Sequence, residues 1–374
     1  MGIKQTLFNN LKNIPGWRTN RKLVAISVDD YGNVRLDSKA AKERLEKKGI
    51  QAMGRFDAYD TLATSEDLEM LFDSLRQVRD TKGRPAVFTP YALPCNIDFA
   101  ATTVEGRYVP ESLKKTWSRL ESEQPDAYAG IRNLWQEGID EGIFIPQFHG
   151  REHFNAKLFH AYLQEEDPIV LNSLEEKSLI GLSPRTDMPH ISFTQTYAFE
   201  EEDEVEVHKE MIKDGLERFK EVFGYATTAF TPPAQQLHPK LYPFLESIGV
   251  KAIDKPFLTR RHYGNGNFKR EWNTLGQKKG QNHISLVRNV VFEPTDGHID
   301  HVGKAMKQIE AAFRWGKPAH ISSHRVNFCG HIDPENRKKG LGDLKELLQR
   351  IVKRWPEVEF VSVPELVKRI GNRE

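Results

Sequence analysis

Short apolar runs, each followed by polar residues and then by a helix-like stretch, recur along the whole chain. The runs at 23–28, 86–88, 144–148, 227–230, 250–253, 319–323 and 358–361 have the length and composition of buried strands. Residues 283–287 and 290–292 add one strand or two. Between them, Leu68, Leu71, Phe72 and Leu75 recur at helical spacing within 66–79, and 128–141, 205–223, 301–315 and 341–355 repeat the pattern. Strands alternating with helices imply parallel βαβ units. The expected fold is α/β, a deformed (β/α) barrel of about seven parallel strands. The alternative is a doubly wound open sheet, but no G-x-G-x-x-G supports it. Residues 21–374 are expected to form a single barrel domain preceded by an extension over 1–20. Two stretches break the rhythm, near 96–125 and 258–281, and are expected to be loop insertions.

In such barrels the chemistry gathers at the C-terminal ends of the strands. Asp29 and Asp30 follow the first run, His149 the third, Thr231, Pro232 and Pro233 the fourth, Asp254 the fifth, and His324 the run at 319–323. Carboxylates and imidazoles therefore stand at four strand exits. Two adjacent carboxylates repel, so a nearby cation is needed to keep both ionised. A metal supplies it, and one Asp can ligate while the other acts as a base. His149 and His153 lie at i and i+4, so a helix starting at His149 would put both on one face, where they share a metal. Two His and one carboxylate leave an open position, as catalytic zinc requires. His324 is placed to act as a general acid. His320 falls in mid-strand, and His298, His301 and His331 read as structural. The acidic run 200–206 reads as a solvated helix start.

Composition narrows the setting. Lys and Arg total 54 and Asp and Glu 53, a balance with no global pull toward nucleic acid. The two cysteines, Cys95 and Cys329, cannot build a disulfide framework. No secretory leader or membrane-spanning run is legible, so a cytoplasmic location is expected. The stretch 258–281 is locally basic, with Arg260, Arg261, Lys269, Arg270, Lys278 and Lys279 against Glu271 alone. Together with Tyr263, Phe268 and Trp272 it is expected to line the groove and receive an anionic glycan.

The order of these features resembles the polysaccharide deacetylase family, the NodB-homology carbohydrate esterases. The residues that carry the resemblance are Val28-Asp29-Asp30-Tyr31-Gly32, the segment 134–155 ending in the paired histidines, 205–233 with its Phe230-Thr231-Pro232-Pro233 turn, 237–254, the strand ending in His324, and 360–370. The resemblance covers most of 21–370. It implies a metal-dependent hydrolase that removes an N- or O-acetyl group from a carbohydrate. Asp30, His149 and His153 would hold a divalent metal, zinc first among the candidates. Asp29 would be the general base and His324 the general acid. The N–H of Ala234 would help hold the oxyanion. Asp254 would orient or tune these groups, and Thr231, Pro233 and Arg325 would border the substrate. Where the family has an Arg that pairs with the base, this chain has Thr231, which leaves Arg151 or Arg325 to take its place.

Three other functions fit parts of the pattern. His149–His153 also matches H-x-x-E-H, in which Glu152 would be the base of a zinc peptidase. Asp29 and Asp254 could serve as the carboxylate pair of a glycoside hydrolase. A non-catalytic glycan-binding protein would account for the missing Arg.

Overall fold

The computed structural model describes residues 3–180, 182, 185–278, 282–297 and 299–372. Lys279 and His298, both weighed above, lie outside these residues. The strands are β1 (Leu23–Tyr31), β2 (Phe88–Ala92), β3 (Cys95–Ile97), β4 (Pro110–Ser112), β5 (Gln147–Phe148), β6 (Ala229–Phe230), β7 (Ala252–Asp254), β8 (Leu258–His262), β9 (Phe268–Trp272), β10 (Ile284–Leu286), β11 (Val290–Val291), β12 (Ala319–His324) and β13 (Glu359–Phe360).

Nine of these form one sheet in the order β10-β7-β6-β5-β2-β1-β12-β11, with β13 added to β1. Every pairing within it is parallel. The fold is thus the expected α/β barrel, with nine strands rather than about seven. β1 is buried along its whole length, because a central parallel strand is covered on both faces. The sheet curls without closing, since no ladder joins β10 to β11 among the described residues. The N-terminal segment spans that gap. Asn289, between the two strands, donates from Nδ2 to Asn13 Oδ1 at 2.8 Å, and Trp17 N–H donates to the Leu275 carbonyl at 2.8 Å.

The structure corrects several expected elements, each for a local reason. The strand expected at 86–88 runs instead over Phe88–Ala92, through Pro90. Proline is tolerated there because the pairing with β1 is irregular at that point. The helix expected over 128–141 splits into Pro125–Tyr128 and Ile131–Asp140, because Gly130 takes a left-handed conformation (φ 71°) between them. The last long helix starts earlier than expected, at Pro334, with Asp333 as its cap. Neither insertion is an irregular loop. Residues 96–125 build the β3–β4 hairpin and the helices Phe99–Glu105 and Leu113–Glu123. Most of 258–281 folds into the antiparallel β8–β9 hairpin, whose turn places Gly264, Asn265 and Gly266 at positive φ. No helix among the described residues is long and apolar enough to cross a membrane.

Candidate metal and catalytic site

Adjacent residues of a strand point to opposite faces, so Asp29 and Asp30 should not both reach one site. A β-bulge resolves this. Val28 pairs with Pro90 and Tyr31 with Ala92, so β1 spends one residue more than β2 over this span. The extra residue lets Asp30 adopt φ 73°, a left-handed conformation that an L-residue seldom takes and that costs about 1–3 kcal/mol. Both carboxylates then line one cavity.

His149 follows β5 directly. Its Nδ1–H donates to the Thr231 carbonyl at 2.7 Å, which fixes the tautomer and leaves the Nε2 lone pair free. That Nε2 lies 3.2 Å from Asp30 Oδ1, and His153 Nε2 lies 3.1 Å from the same oxygen. Donor atoms bound tetrahedrally to zinc at its usual bond lengths are separated by about 3.3 Å. Asp30, His149 and His153 offer three ligand atoms within 4.8 Å of one another, so their chemistry and spacing fit a divalent ion. No helix starts at His149. Gly150 takes φ 117°, and the next helix begins at Ala156, so a turn rather than a helical face brings the two imidazoles together.

Asp29 is held by a residue that was not expected. Arg288, just past β10, donates from Nη1 to Asp29 Oδ2 at 2.7 Å and from Nη2 to Asp29 Oδ1 at 2.8 Å. The same guanidinium donates to Thr231 Oγ1 at 3.0 Å, pairs through Nε with Asp254 at 2.5 Å, and lies over the Tyr91 ring. Burial pushes the Asp29 carboxyl up, but the charge and hydrogen bonds of Arg288 outweigh it and the net shift is downward. Asp254, more deeply buried and paired with the same cation, is pushed up to about 6 by its burial. Neither Arg151 nor Arg325 fills this place. Arg151 pairs with Glu152 and Asp214, and Arg325 with Asp60.

His324 ends β12 in register with Asp29. Its Nδ1–H donates to Glu293 at 2.7 Å, and its Nε2 lies 4.0 Å from Asp29 Oδ2. Burial alone would lower its pKa, but Glu293 reverses that and pushes it up to about 9. Glu293 is in turn held by Arg55 and Asn327. The ring of Phe56 meets His324 edge-on at 5.3 Å. His320, the competitor in mid-strand, is fully buried and engaged with Ser27.

A cavity of about 510 Å³ joins Asp29, Asp30, His149, His153, Thr231, Ala234 and His324. Ala234 and Gln235 both line it in left-handed conformations, φ 50° and 55°. Four expectations need correction. Arg325 is fully buried on Asp60 and does not border the cavity. Pro233 is also absent from the lining and packs against Gly150 instead. Asp254 reaches the site only through Thr231 and Arg288. The cationic hairpin contributes no side chain to the cavity wall. A second chamber of about 200 Å³ adjoins the first, sharing Arg35, Phe56, His153 and Thr194 with it. A larger cleft at the opposite ends of β7 and β10 is lined by Glu246 and His283, but no group of three metal-ligating side chains stands there among the described residues.

Glu293 and Arg288 are the functional residues that sequence reasoning missed. Each stands at a strand exit, the signal that singled out the others, but the boundaries of β10 and β11 were not separable from composition.

No family model matches the chain, and no curated protein matches it. Solved structures do. One assigned as a polysaccharide deacetylase from Mycobacterium smegmatis superposes with a TM-score of 0.47 at 10% identity, over 96% of this chain and 93% of that one. The allantoinase Puue gives 0.47 at 10% identity, over 95% and 93%. A protein assigned as a polysaccharide deacetylase from Pseudomonas aeruginosa PAO1 gives 0.46 at 10% identity, over 95% and 92%.

Proposed function

We propose that this chain is a metal-dependent hydrolase that removes an acetyl group from a carbohydrate, with the metal held by Asp30, His149 and His153. The observation that carries the reading is the three-donor cluster beside a second buried carboxylate, Asp29, which is held ionised by Arg288 and lies opposite a cationic His324. A bound divalent ion, zinc first and otherwise Co²⁺, Ni²⁺ or Fe²⁺, would supply Lewis acidity and lower the pKa of water. Asp29 accepts the proton of the attacking water at a carboxylate oxygen. Arg288 holds that carboxylate in place and keeps it ionised. His324, its Nδ1–H fixed on Glu293, presents Nε2–H to the leaving nitrogen or oxygen. The backbone at Ala234 borders the site where negative charge develops.

The rival readings lose support at particular residues. Glu152 is buried and engaged by Arg151, so it is poorly placed as a peptidase base. Asp254 does not line the cavity, so it makes a poor partner for Asp29 in a glycosidase. The missing Arg that favoured a non-catalytic binder is replaced by Arg288.

The test is metal analysis of protein purified without added metal, paired with acetate release from acetylated oligosaccharides. About one equivalent of divalent metal and chelator-sensitive acetate release are expected. Metal-free protein that still cleaves a glycan would sink the proposal. A second test concerns pH. His324 must be protonated to act as an acid, so activity should fall as pH rises through its pKa. Glu293→Gln removes the group that raises that pKa, so the alkaline limb should move to lower pH. An unmoved limb would mean that His324 is not the acid.

A further inference from the structure

The N-terminal helix Ile3–Leu11 is amphipathic in the wrong sense for a helix packed on a core. Among the described side chains from residue 6 to 14, which include the segment just past the helix, Asn9 and Asn13 are buried, whereas Leu7, Phe8 and Leu11 are 57%, 48% and 49% exposed and Ile14 is also exposed. The inward side is held by polar contacts. Asn13 accepts from Asn289, and Asn10 Oδ1 accepts from Arg314 and from Trp315 Nε1, both at 3.1 Å. A helix normally turns its apolar stripe to the protein and its polar side to water.

The exposed stripe continues onto the β8–β9 hairpin. Phe8 meets Phe257 at 6.2 Å, and Phe257 meets Trp272 at 5.1 Å. In the hairpin register Leu258 pairs with Trp272 and Arg260 with Arg270, so these four share one face, and all four are exposed. Trp272 is 59% exposed, and Arg260 lies over the Phe268 ring at 4.1 Å.

The charge around this apolar surface is of one sign. Residues 6–18 contain Lys12 and Arg18 and no Asp or Glu. On the hairpin, Arg260 and Arg270 share the exposed face with Leu258 and Trp272, while Glu271 pairs with Arg261 on the other face. The whole chain has a net charge of only +1, so this is a local excess. Exposed Leu, Phe and Trp ringed by Lys and Arg is the composition of an element lying in a bilayer interface, where apolar side chains enter the acyl boundary and basic heads meet anionic headgroups. Arg and Lys stems can lie along the apolar layer with their charges in the headgroups. Pairing with a second copy through this face would set its cations against one another.

We propose that the outer faces of the N-terminal helix and the β8–β9 hairpin form one surface that seats the protein on an anionic lipid bilayer. β8 starts shortly after Asp254, and the Arg260 carbonyl accepts from Gln236, next to the cavity-lining Gln235. The surface stands on its own observations and does not depend on the reaction assigned to the cavity.

The experiment is co-sedimentation of the full chain with phosphatidylcholine vesicles prepared with and without phosphatidylglycerol. Binding is expected with phosphatidylglycerol and should weaken as salt is raised, a result that needs no variant. The variant Leu7→Ser/Phe8→Ser/Leu11→Ser/Trp272→Ser should bind at least about tenfold more weakly, with its thermal unfolding measured alongside to show that it remains folded. Arg260→Glu/Arg270→Glu should abolish the preference for phosphatidylglycerol. The proposal is overturned if wild-type protein stays in the supernatant with anionic vesicles, or if the serine variant binds as wild type does. It is also overturned if ultracentrifugation without vesicles shows a dimer that the serine variant loses, since the face would then be a self-association surface.

Discussion

His149→Ala is expected to lose both bound metal and turnover, whereas Asp29→Asn should keep the metal and lose only turnover. The two residues lie in one cavity, but their contacts differ. His149 Nε2 and His153 Nε2 converge on a single oxygen of Asp30, so removing one imidazole takes away one of three donors. Asp29 directs both oxygens at Arg288 and none at the histidines within hydrogen-bond range, so amidation leaves the donor set intact. Asp29→Asn removes a proton acceptor and should lower kcat by about 10²–10⁴-fold, the usual range for a general base. For His149→Ala the loss should reach the detection limit, with metal content well below stoichiometric. Metal analysis and acetate-release kinetics on the same preparations decide the matter. Retained metal in His149→Ala would remove it from the ligand set, and near-normal turnover in Asp29→Asn would remove the assigned base.

What the sequence revealed depended on how far each feature is set by local chemistry. The apolar runs marked the parallel strands because buried strands must be apolar on both faces, and the exits of those runs marked Asp29, Asp30, His149 and His324. The bulge at Asp30 was not legible. It arises from the pairing of β1 with β2, and nothing in Val28-Asp29-Asp30-Tyr31 alone specifies that partner. The turn through Gly150 was not legible, because i, i+4 spacing carries no information about φ. Arg288 and Glu293 were missed for a related reason. β10 and β11 are three and two residues long, too short to locate their ends by periodicity, so their exits could not be assigned. The hairpin was read as a loop because Gly and Asn dominate its turn while its strands carry Arg and Lys on exposed positions. A two-stranded element with little buried apolar surface has little hydrophobic pattern to read.

Arg288→Met is expected to damage stability and catalysis together, and a second substitution should separate the two effects. The guanidinium pairs with Asp254 and holds Asp29 through two hydrogen bonds. Removing it leaves two buried carboxylates without their shared counter-charge. Breaking a buried pair in this way typically costs about 3–5 kcal/mol, because a charge is left uncompensated. Asp29 would also lose the contact that fixes its orientation and the charge that keeps it ionised. A fall in kcat/KM of about 10²-fold or more is expected. Asp254→Asn in the same background removes one of the two stranded charges, so the double variant should recover part of the lost stability. It should not recover activity, since Asp29 still lacks its partner. Arg288→Lys should fall between wild type and Arg288→Met, because a lysine restores charge but not the planar fork that grips both oxygens of Asp29. Urea unfolding and steady-state kinetics on the four proteins provide the test. If Arg288→Met unfolds like wild type and retains its kcat/KM, the Asp29–Arg288–Asp254 cluster does not support the catalytic base.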